Sequence, residues 1–444
     1  MHLIFLVQSK AHYRYYSPLI YYGFKESFKI TVFQNKSKNL KVKFNSFIEK
    51  KNINFEHFNN DEELNNLIAE TNFDFFISLN PFFEVIYQSN LKKLSGKFCM
   101  LMHGDDSFLT VDDWQGYNPN AKLHLDYKRY FFIHNLSTYD FYLNLIKKYS
   151  RNKEKKNYLY FTDKNTNNVA IGDLQICKEL LNLNKDKIRN EFNIPYDKKI
   201  ILYLPFPFVP LRNKNFSQSF QIAYSGIFHA IYQFKKNKGL KKVMYLIKTI
   251  YFFIKIFTSL TSIKIFFKQK TEKKIMKELR KFCDNNNFFL IAKPKNKYTI
   301  PTALFDYADK VIIDEQNEYF PSIFQKLLSI SDYMISYYTT GIRESARYNT
   351  YNINIELPNI YFDHDPINYL RYETNNQDQY QFKGVIETVS FENFIKILLN
   401  NNLETKFKFK HLEREKYIRK FLGIDSKDAV ENFIENIKKI NDQK

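Results

Sequence analysis

The stretch from residue 331 to residue 358 constrains the fold more than any other part of the chain. Two short apolar segments, Tyr333 to Ile335 and Tyr351 to Ile355, enclose a small polar turn and a segment of helix-forming residues. Short apolar runs bounded by turns are typical of buried strands in a parallel sheet, where neighbouring strands are joined by a crossover helix. The stretch therefore predicts a strand–turn–helix–strand unit.

The turn of this unit predicts a site for phosphate. It contains Thr339, Thr340 and Gly341, and the helix that follows contains Arg343 and Glu344. A helix N-terminus offers free backbone N–H groups and a partial positive charge, here beside two hydroxyls. Glu344 would then reach a ribose hydroxyl of the same ligand. The alternative is that a threonine only caps the helix and that Glu344 only complements the helix dipole.

Short apolar segments that predict strands alternate with helical segments along the chain, and a length of 444 residues allows two domains with separate cores. The other predicted strands are His2 to Val7, Lys29 to Phe33, Phe73 to Leu79, Phe98 to Met102, Tyr130 to Ile133, Ile200 to Pro205, Phe288 to Ala292 and Lys310 to Ile313. This order predicts an α/β protein with two Rossmann-like domains that face each other across a cleft.

Composition shifts predict the domain boundaries. We place an N-terminal acceptor domain at residues 1–172, after which comes a charged linker at 173–198. A C-terminal nucleotide-donor domain follows at 199–405 and carries a basic amphipathic helical insertion at 235–281. Residues 406–444 are predicted to form C-terminal helices.

Polar loops that follow predicted strands supply further candidate site residues, because ligands of open α/β sheets bind at such loops. In the first domain, the loop after the first strand contains Ser9 and His12 and lacks the glycine pattern of dinucleotide-binding loops, so no such cofactor is predicted. His103, followed by a glycine and Asp105, is placed to act as a general base on a hydroxyl. The alternative is a histidine that only bonds neighbouring backbone.

Lys293 follows a predicted strand of the second domain and is a candidate to neutralise a diphosphate. The alternative is a solvated basic turn. The sequence Asp363-His364-Asp365 matches the D-x-D spacing of metal-dependent sugar transferases, but so short a pattern recurs by chance, and no metal ligand is predicted. The three cysteines are far apart and predict buried thiols in a reducing compartment.

The net charge of +20 suggests nucleic-acid binding, but the distribution of the charge argues against it. Residues 235–281 contain 15 Lys and Arg and only two acids, so this segment alone carries +13. Lys241, Lys248 and Lys255 recur every seven residues beside a broad apolar face, which is typical of a helix that lies in the interface of an anionic membrane. The alternative is a helical hairpin packed on the second domain.

The chain begins with an apolar segment that we interpret as a strand and not as a signal peptide, and no apolar run is long enough to span a membrane. These features predict a cytoplasmic protein, peripheral to the inner face of the cell membrane if the basic helix binds lipid.

Several segments together resemble a two-domain GT-B glycosyltransferase, and among these the bacterial surface-polysaccharide enzymes related to CDP-glycerol glycerophosphotransferases and Kdo transferases. The resemblance spans most of the chain and is carried by Met102 to Gly104, Val169 to Gly172, Ile200 to Pro205, Ala292 to Lys295 and Phe320 to Ala346. It implies that the second domain binds a nucleotide donor, with Thr339 and Thr340 at the phosphate, Glu344 at the ribose, and His103 of the first domain in the cleft. The absence of glycine in the first loop and Ser345 after Glu344 depart from the pattern, which leaves the donor open.

The leading hypothesis is an inverting, metal-independent transferase that moves a sugar or polyol phosphate from a nucleotide-activated donor to a surface glycan or a lipid-linked acceptor. His103 or Asp105 would activate the acceptor, and Lys293 and Arg343 would stabilise the departing nucleotide without a tightly bound cofactor. One alternative is a CDP-glycerol-type glycerophosphotransferase. Another, of a different class, is a non-catalytic basic nucleic-acid-binding protein, which the concentration of charge in one apolar-rich segment disfavours.

Overall fold

The structure is a computed structural model. It describes residues 1–36, 43–44, 46–79, 96–102, 128–136, 139–140, 143, 164–175, 177–205, 230, 234, 238–257, 270–294, 300, 303–314, 318–337, 339, 341–356, 380–423 and 428–443.

Thirteen strands of the described residues form two sheets, and every pairing between the strands is parallel. They are β1 (His2–Val7), β2 (Lys29–Asn35), β3 (Asn54–Phe58), β4 (Phe75–Ser78), β5 (Lys97–Leu101), β6 (Arg129–Ile133), β7 (Thr166–Ala170), β8 (Lys199–Tyr203), β9 (Phe288–Ala292), β10 (Lys310–Val311), β11 (Tyr333–Ser336), β12 (Tyr351–Glu356) and β13 (Ile386–Ser390). The first sheet has the order β3-β2-β1-β4-β5-β6-β7 and the second the order β10-β9-β8-β11-β12-β13.

The α-helices of the described residues alternate with these strands. They are α1 (Tyr13–Lys25), α2 (Ser46–Glu49), α3 (Asp61–Glu70), α4 (Lys178–Leu181), α5 (Lys185–Glu191), α6 (Leu240–Phe257), α7 (Lys270–Asn285), α8 (Ala303–Tyr307), α9 (Ile323–Ile330), α10 (Gly341–Arg347), α11 (Phe391–Leu399), α12 (Leu403–Lys406), α13 (His411–Tyr417) and α14 (Ala429–Asp442). The predicted strand–turn–helix–strand unit is confirmed as β11, α10 and β12.

The chain forms two compact units, which differ from the predicted domains. The first contains residues 1–182, 316–322 and 415–444, and the second contains residues 183–315 and 323–414. The predicted C-terminal segment is thus divided, because Phe433, Ile434 and Ile437 of α14 pack into the core of the first unit. Its ring contacts include Phe132 and Phe433, whose centroids lie 4.8 Å apart.

The segment predicted as a linker is divided in the same way. Leu174, Cys177 and Leu180 lie in the core of the first unit, whereas α5 belongs to the second unit. The predicted helical insertion at 235–281 is not confirmed, because Ile275 and Leu279 on α7 are part of the core of the second unit. Helix α7 is therefore part of the chain's path from β8 to β9 and not an addition to it.

Candidate functional site

The strand order of each sheet defines where a ligand is expected. In the second sheet the chain runs outward from β8 through β9 to β10, and then outward in the other direction from β11 through β12 to β13. Ligands of such sheets bind outside the carboxyl ends of the strands at the point where the direction changes. In the second unit this point lies between β8 and β11, and in the first unit between β1 and β4.

The ring of Phe324 joins two predicted parts of the site in the second unit. A Cβ atom added to Gly341, the first residue of α10, would lie 2.7 Å from the Cζ atom of this ring, so a larger residue there would displace the ring. The Nζ atom of Lys293 lies 5.7 Å from the centre of the same ring. Lys293 and the start of α10, which are far apart in the sequence, are therefore neighbours in the structure.

Thr339 has the capping role that the sequence offered as an alternative. Its Oγ1 accepts a hydrogen bond from the Gly341 N–H at 3.3 Å, and its carbonyl oxygen accepts one from the Ile342 N–H at 3.2 Å. The hydroxyl thus satisfies one of the free donors at the helix start. Because α10 has only seven residues, its dipole is a small contribution to anion binding. Thr340 lies outside the described residues.

Arg343 and Glu344 are both buried, each with 1% of its surface exposed. A first-turn acid that only complements a helix dipole is normally solvated, and burying a charged group is costly unless it is bonded. The burial of Glu344 therefore does not fit the dipole alternative. It fits a carboxylate that the fold holds in a fixed position.

Lys293 is an anchored side chain and not part of a solvated turn. Its Nζ lies 3.0 Å from Oδ2 of Asp314, and both residues are buried with 8% of their surface exposed. Its backbone N–H donates to the carbonyl oxygen of Tyr203 at 2.9 Å, which fixes it beside the carboxyl end of β8. Asp314 balances the charge of Lys293, so this lysine brings less uncompensated positive charge to the site than the sequence suggested.

A buried cluster of Glu272, Tyr203 and Tyr337 lies at the same point of the sheet and was not predicted. Tyr203 is the last residue of β8, Tyr337 follows β11, and Glu272 lies in the first turn of α7. The Tyr203 hydroxyl donates to Oε1 of Glu272 at 2.8 Å and lies 2.9 Å from the Tyr337 hydroxyl. Either hydroxyl can be the donor in this second bond, and the three buried side chains form one hydrogen-bonded cluster.

Burial raises the pKa of Glu272 to about 8, and the hydrogen bond from Tyr203 lowers it only in part. Burial also raises the pKa of Tyr203 and of Tyr337 well above the usual value for tyrosine. At neutral pH the cluster is thus a set of neutral hydrogen-bonding groups. The sequence contained a signal for it, because Glu272 shares the apolar face of α7 with Ile275, Met276 and Leu279.

The first unit places Ser9 and His12 where the sequence predicted them, beyond the carboxyl end of β1. The chain turns there, with the His12 N–H donating to the Ser9 carbonyl oxygen at 3.1 Å, and His12 is half-buried. The Nδ1 atom of His12 lies 3.3 Å from the carbonyl oxygen of Leu6 and must carry a proton to bond it. This bond fixes the orientation of the His12 ring beside the carboxyl end of β1.

His103 and Asp105 lie outside the described residues, as does the D-x-D sequence at 363–365. The described strand β5 ends at Leu101, two residues before His103. The roles predicted for both residues stay predictions.

Within the described residues, one set of metal-ligating types converges: Cys177, Glu179 and Asp428 offer atoms within 4.8 Å of one another. Both carboxylates already have other partners. Glu179 accepts from the Tyr22 hydroxyl at 2.6 Å, and Asp428 accepts from the Lys178 N–H at 2.5 Å. Burial raises the pKa of the Cys177 thiol well above its usual value, which disfavours the thiolate that a metal needs. This set is better explained as a structural contact.

The three cysteines, Cys99, Cys177 and Cys283, are buried and unbonded to each other, as predicted. Of the helices in the described ranges, none combines the length and the apolar character that crossing a membrane requires.

Two solved structures of low sequence identity share the fold. UDP-GlcNAc 2-epimerase from Neisseria meningitidis, solved with bound UDP-GlcNAc, aligns over 99% of this chain and 100% of its own with 11% identity and a TM-score of 0.56. The wall teichoic acid polymerase TagF aligns over 100% of this chain and 89% of its own with 13% identity and a TM-score of 0.53. No family model and no curated protein matches the sequence. The chain therefore has the predicted GT-B-like α/β fold.

Proposed function

We propose that the protein is a nucleotide-dependent transferase whose second unit binds the donor. The observation that carries the proposal is the convergence of Lys293, the start of α10 and the buried Glu272 cluster at the carboxyl ends of β8, β9 and β11. These groups come from distant parts of the sequence and meet where open α/β sheets bind ligands. Charged or titratable side chains buried there include Lys293, Glu272, Arg343 and Glu344, and such groups cluster at functional sites.

In this proposal the second unit holds the nucleotide and stabilises it as it leaves. Glu344, held by burial, would accept hydrogen bonds from ribose hydroxyls, and the buried Arg343 would balance the charge of the phosphate. Thr339 and Thr340 are proposed to lie at the phosphate. Lys293, paired with Asp314 and lying over the ring of Phe324, would hold this surface in position. Fixed donors aimed at the developing charge lower the barrier without a metal ion.

The first unit would supply the base that takes the proton of the acceptor hydroxyl, with His103 as the first candidate and Asp105 as the second. The half-buried His12, with its Nδ1 proton used on Leu6, is placed at the predicted ligand point of that unit together with Ser9. We assign these two residues to acceptor binding. Attack by the acceptor oxygen on the donor and departure of the nucleotide in one step invert the reacting carbon.

The ligands of two proteins that share the fold support a choice of donors to test first. One was solved with UDP-GlcNAc and a variant of the other was soaked with CDPG, so uridine and cytidine nucleotides are the first donors to test. If the donor is a nucleotide-sugar, the protein is a glycosyltransferase. If the donor is CDP-glycerol, it is a glycerophosphotransferase. The proposed acceptor is a surface glycan or a lipid-linked carrier. A lipid-linked carrier would bring the protein to the inner face of the cell membrane.

Thermal unfolding in the presence of cytidine, uridine and guanosine nucleotides tests the donor site. A ligand at about 100 times its Kd stabilises the folded protein by about 2.7 kcal/mol, and each kcal/mol raises the Tm of a domain of this size by about 2–4 °C. We expect Glu344→Gln to abolish the shift and Glu392→Gln to keep it, because Glu392 is an exposed first-turn acid of α11. The proposal fails if no nucleotide shifts the Tm, or if Glu344→Gln leaves the shift unchanged.

Product analysis distinguishes the reactions. The nucleotide that gives the largest shift is supplied as its sugar or glycerol conjugate, with and without a glycan or lipid-linked acceptor, and nucleotide release is measured. Release that requires the acceptor supports transfer. Conversion of UDP-GlcNAc to an isomer without any acceptor would instead assign the protein an epimerase reaction, as in the Neisseria meningitidis enzyme that shares the fold.

A further inference from the structure

Helix α6 exposes an apolar surface that is unusual for a folded protein. Eight of its large apolar side chains are between 42% and 89% exposed, and these are more than half of all such side chains in the part of the chain that the structure describes. They are Leu240, Val243, Met244, Leu246, Ile247, Ile250, Tyr251 and Ile254. A contiguous exposed apolar patch marks a site that contacts a partner or a membrane.

The exposed residues form one continuous face. At 3.6 residues per turn they fall within an arc of about 160° around the helix axis. The opposite side carries Tyr245, Thr249, Phe252 and Phe253, all of which are half-buried. Although Lys242 on that side is exposed, the aliphatic side of the helix is its more exposed side, which is the reverse of an ordinary surface helix.

Positive charge borders this face. Lys241 and Lys248 lie along one edge of the apolar arc, and both are exposed. No Asp or Glu occurs between Asp197 and Glu272, so the sequence around the helix contains no acid that would neutralise them. Lysines at the edge of an aliphatic face keep their charge at the level of lipid headgroups while the face enters the acyl region.

The same features argue against other occupants. A second copy of the chain would bring its lysine row close to this one with no acids to pair with it, and that repulsion opposes self-association. A nucleic acid would leave the aliphatic face exposed, because nucleic-acid surfaces pair phosphates with cations and bases with aromatic rings. Helix α6 is not a membrane-spanning helix, since none of the described helices is long and apolar enough to cross a membrane.

We propose that the outward face of α6 binds the surface of a lipid bilayer that contains anionic headgroups, with the helix axis parallel to the membrane plane. The inference rests on this helix and its charges and does not depend on the proposed transferase reaction.

Vesicle flotation with the full-length protein tests the proposal. The protein is mixed at low salt with vesicles of phosphatidylcholine alone or with added phosphatidylglycerol, and the floating fraction is measured. We expect binding to the anionic vesicles only. Lys241→Gln combined with Lys248→Gln should weaken it about 25-fold, since each lysine near an anionic surface contributes about 1 kcal/mol, or about fivefold. Ile247→Gln combined with Ile254→Gln should weaken it at least about tenfold.

Matched controls are available elsewhere on the surface. Leu412→Gln changes an apolar side chain that is 79% exposed in α13, and Lys185→Gln with Lys187→Gln removes two exposed lysines of α5. Both controls should float like the wild type.

Absence of flotation on anionic vesicles overturns the proposal, as does equal flotation of the α6 variants and the wild type. Light scattering that shows self-association lost in the Ile247→Gln and Ile254→Gln variant would assign the face to a second copy instead. RNA binding that requires Lys241 and Lys248, in a protein that does not float, would assign it to nucleic acid.

Discussion

Helix α10 and helix α6 belong to the same unit, and they depart from the usual distribution of side chains in opposite directions. Helix α10 buries Arg343 and Glu344, whereas α6 exposes Ile247 and Ile254. A buried charge must be held by the surrounding structure, so changes near α10 should affect the folded protein itself. An exposed apolar side chain gains little from folding, so changes on α6 should affect only what the protein binds. The following predictions test this contrast.

The largest effect is expected at the buried ion pair beside α10. Lys293→Met leaves the Asp314 carboxylate buried without its cation, which should lower the free energy of unfolding by about 3–5 kcal/mol. The double variant Lys293→Met with Asp314→Asn should be more stable than the single one, because it removes both charges. Urea unfolding measures both.

Lys199 and Glu404 provide the control for this pair. They form an ion pair in the same unit, but their side chains are 56% and 42% exposed. Lys199→Met should therefore cost no more than about 1 kcal/mol. Equal losses for Lys199→Met and Lys293→Met would contradict the view that the site near α10 depends on buried charge.

A smaller effect is expected from the protonation of Glu272. Its pKa is raised from an ordinary value of 4.5 to about 8, so between these pH values the folded protein holds a proton that the unfolded chain has released. Stability should then fall as pH rises, by up to about 1.4 kcal/mol per pH unit from one site.

Glu272→Gln should remove this dependence, because the amide stays neutral. The unfolding free energies of wild type and variant are compared at about pH 5.5 and about pH 7.5, and the variant should gain relative to the wild type at the higher pH. A difference that does not change with pH would show that Glu272 is ionised in the folded protein.

The smallest effect on stability is expected on α6. Ile247→Gln with Ile254→Gln should change the free energy of unfolding by no more than about 0.5 kcal/mol per site, because both side chains are already in water. Leu279→Ala on α7 is the contrasting variant, since Leu279 is fully buried and its truncation should cost about 2–5 kcal/mol. A large loss from the α6 variant would mean that its face is covered within the protein.

The central strands could be predicted from the sequence, whereas of the four edge strands only β10 was predicted. Strands such as β1 and β11 are buried along almost their whole length and are mostly apolar, so each is visible as an apolar run. The strands β3, β7 and β13 were missed, and all three lie at the edge of a sheet. Their residues are partly exposed and mostly polar, as in Thr166–Ala170, so they lack the apolar signal.

Site features that lie within one segment of the chain were predicted. Features that depend on contacts between distant segments were missed. The turn before α10 and the position of Lys293 after β9 were read from local order along the chain. The pairing of Lys293 with Asp314 depends on two loops meeting in space, and no local pattern encodes it. The predicted domain boundaries differ from the observed units for the same reason. The sequence of α14 has an amphipathic pattern, but this pattern does not indicate which core the helix packs into.

The position of α14 has a consequence for how the protein is made. The first unit includes residues 1–182, yet its core also needs Phe433, Ile434 and Ile437. These side chains leave the ribosome only after the entire second unit has been synthesised. The second unit, continuous apart from residues 316–322, has all of its residues earlier. During synthesis, the unit that emerges first therefore cannot complete its core until the whole second unit has been made.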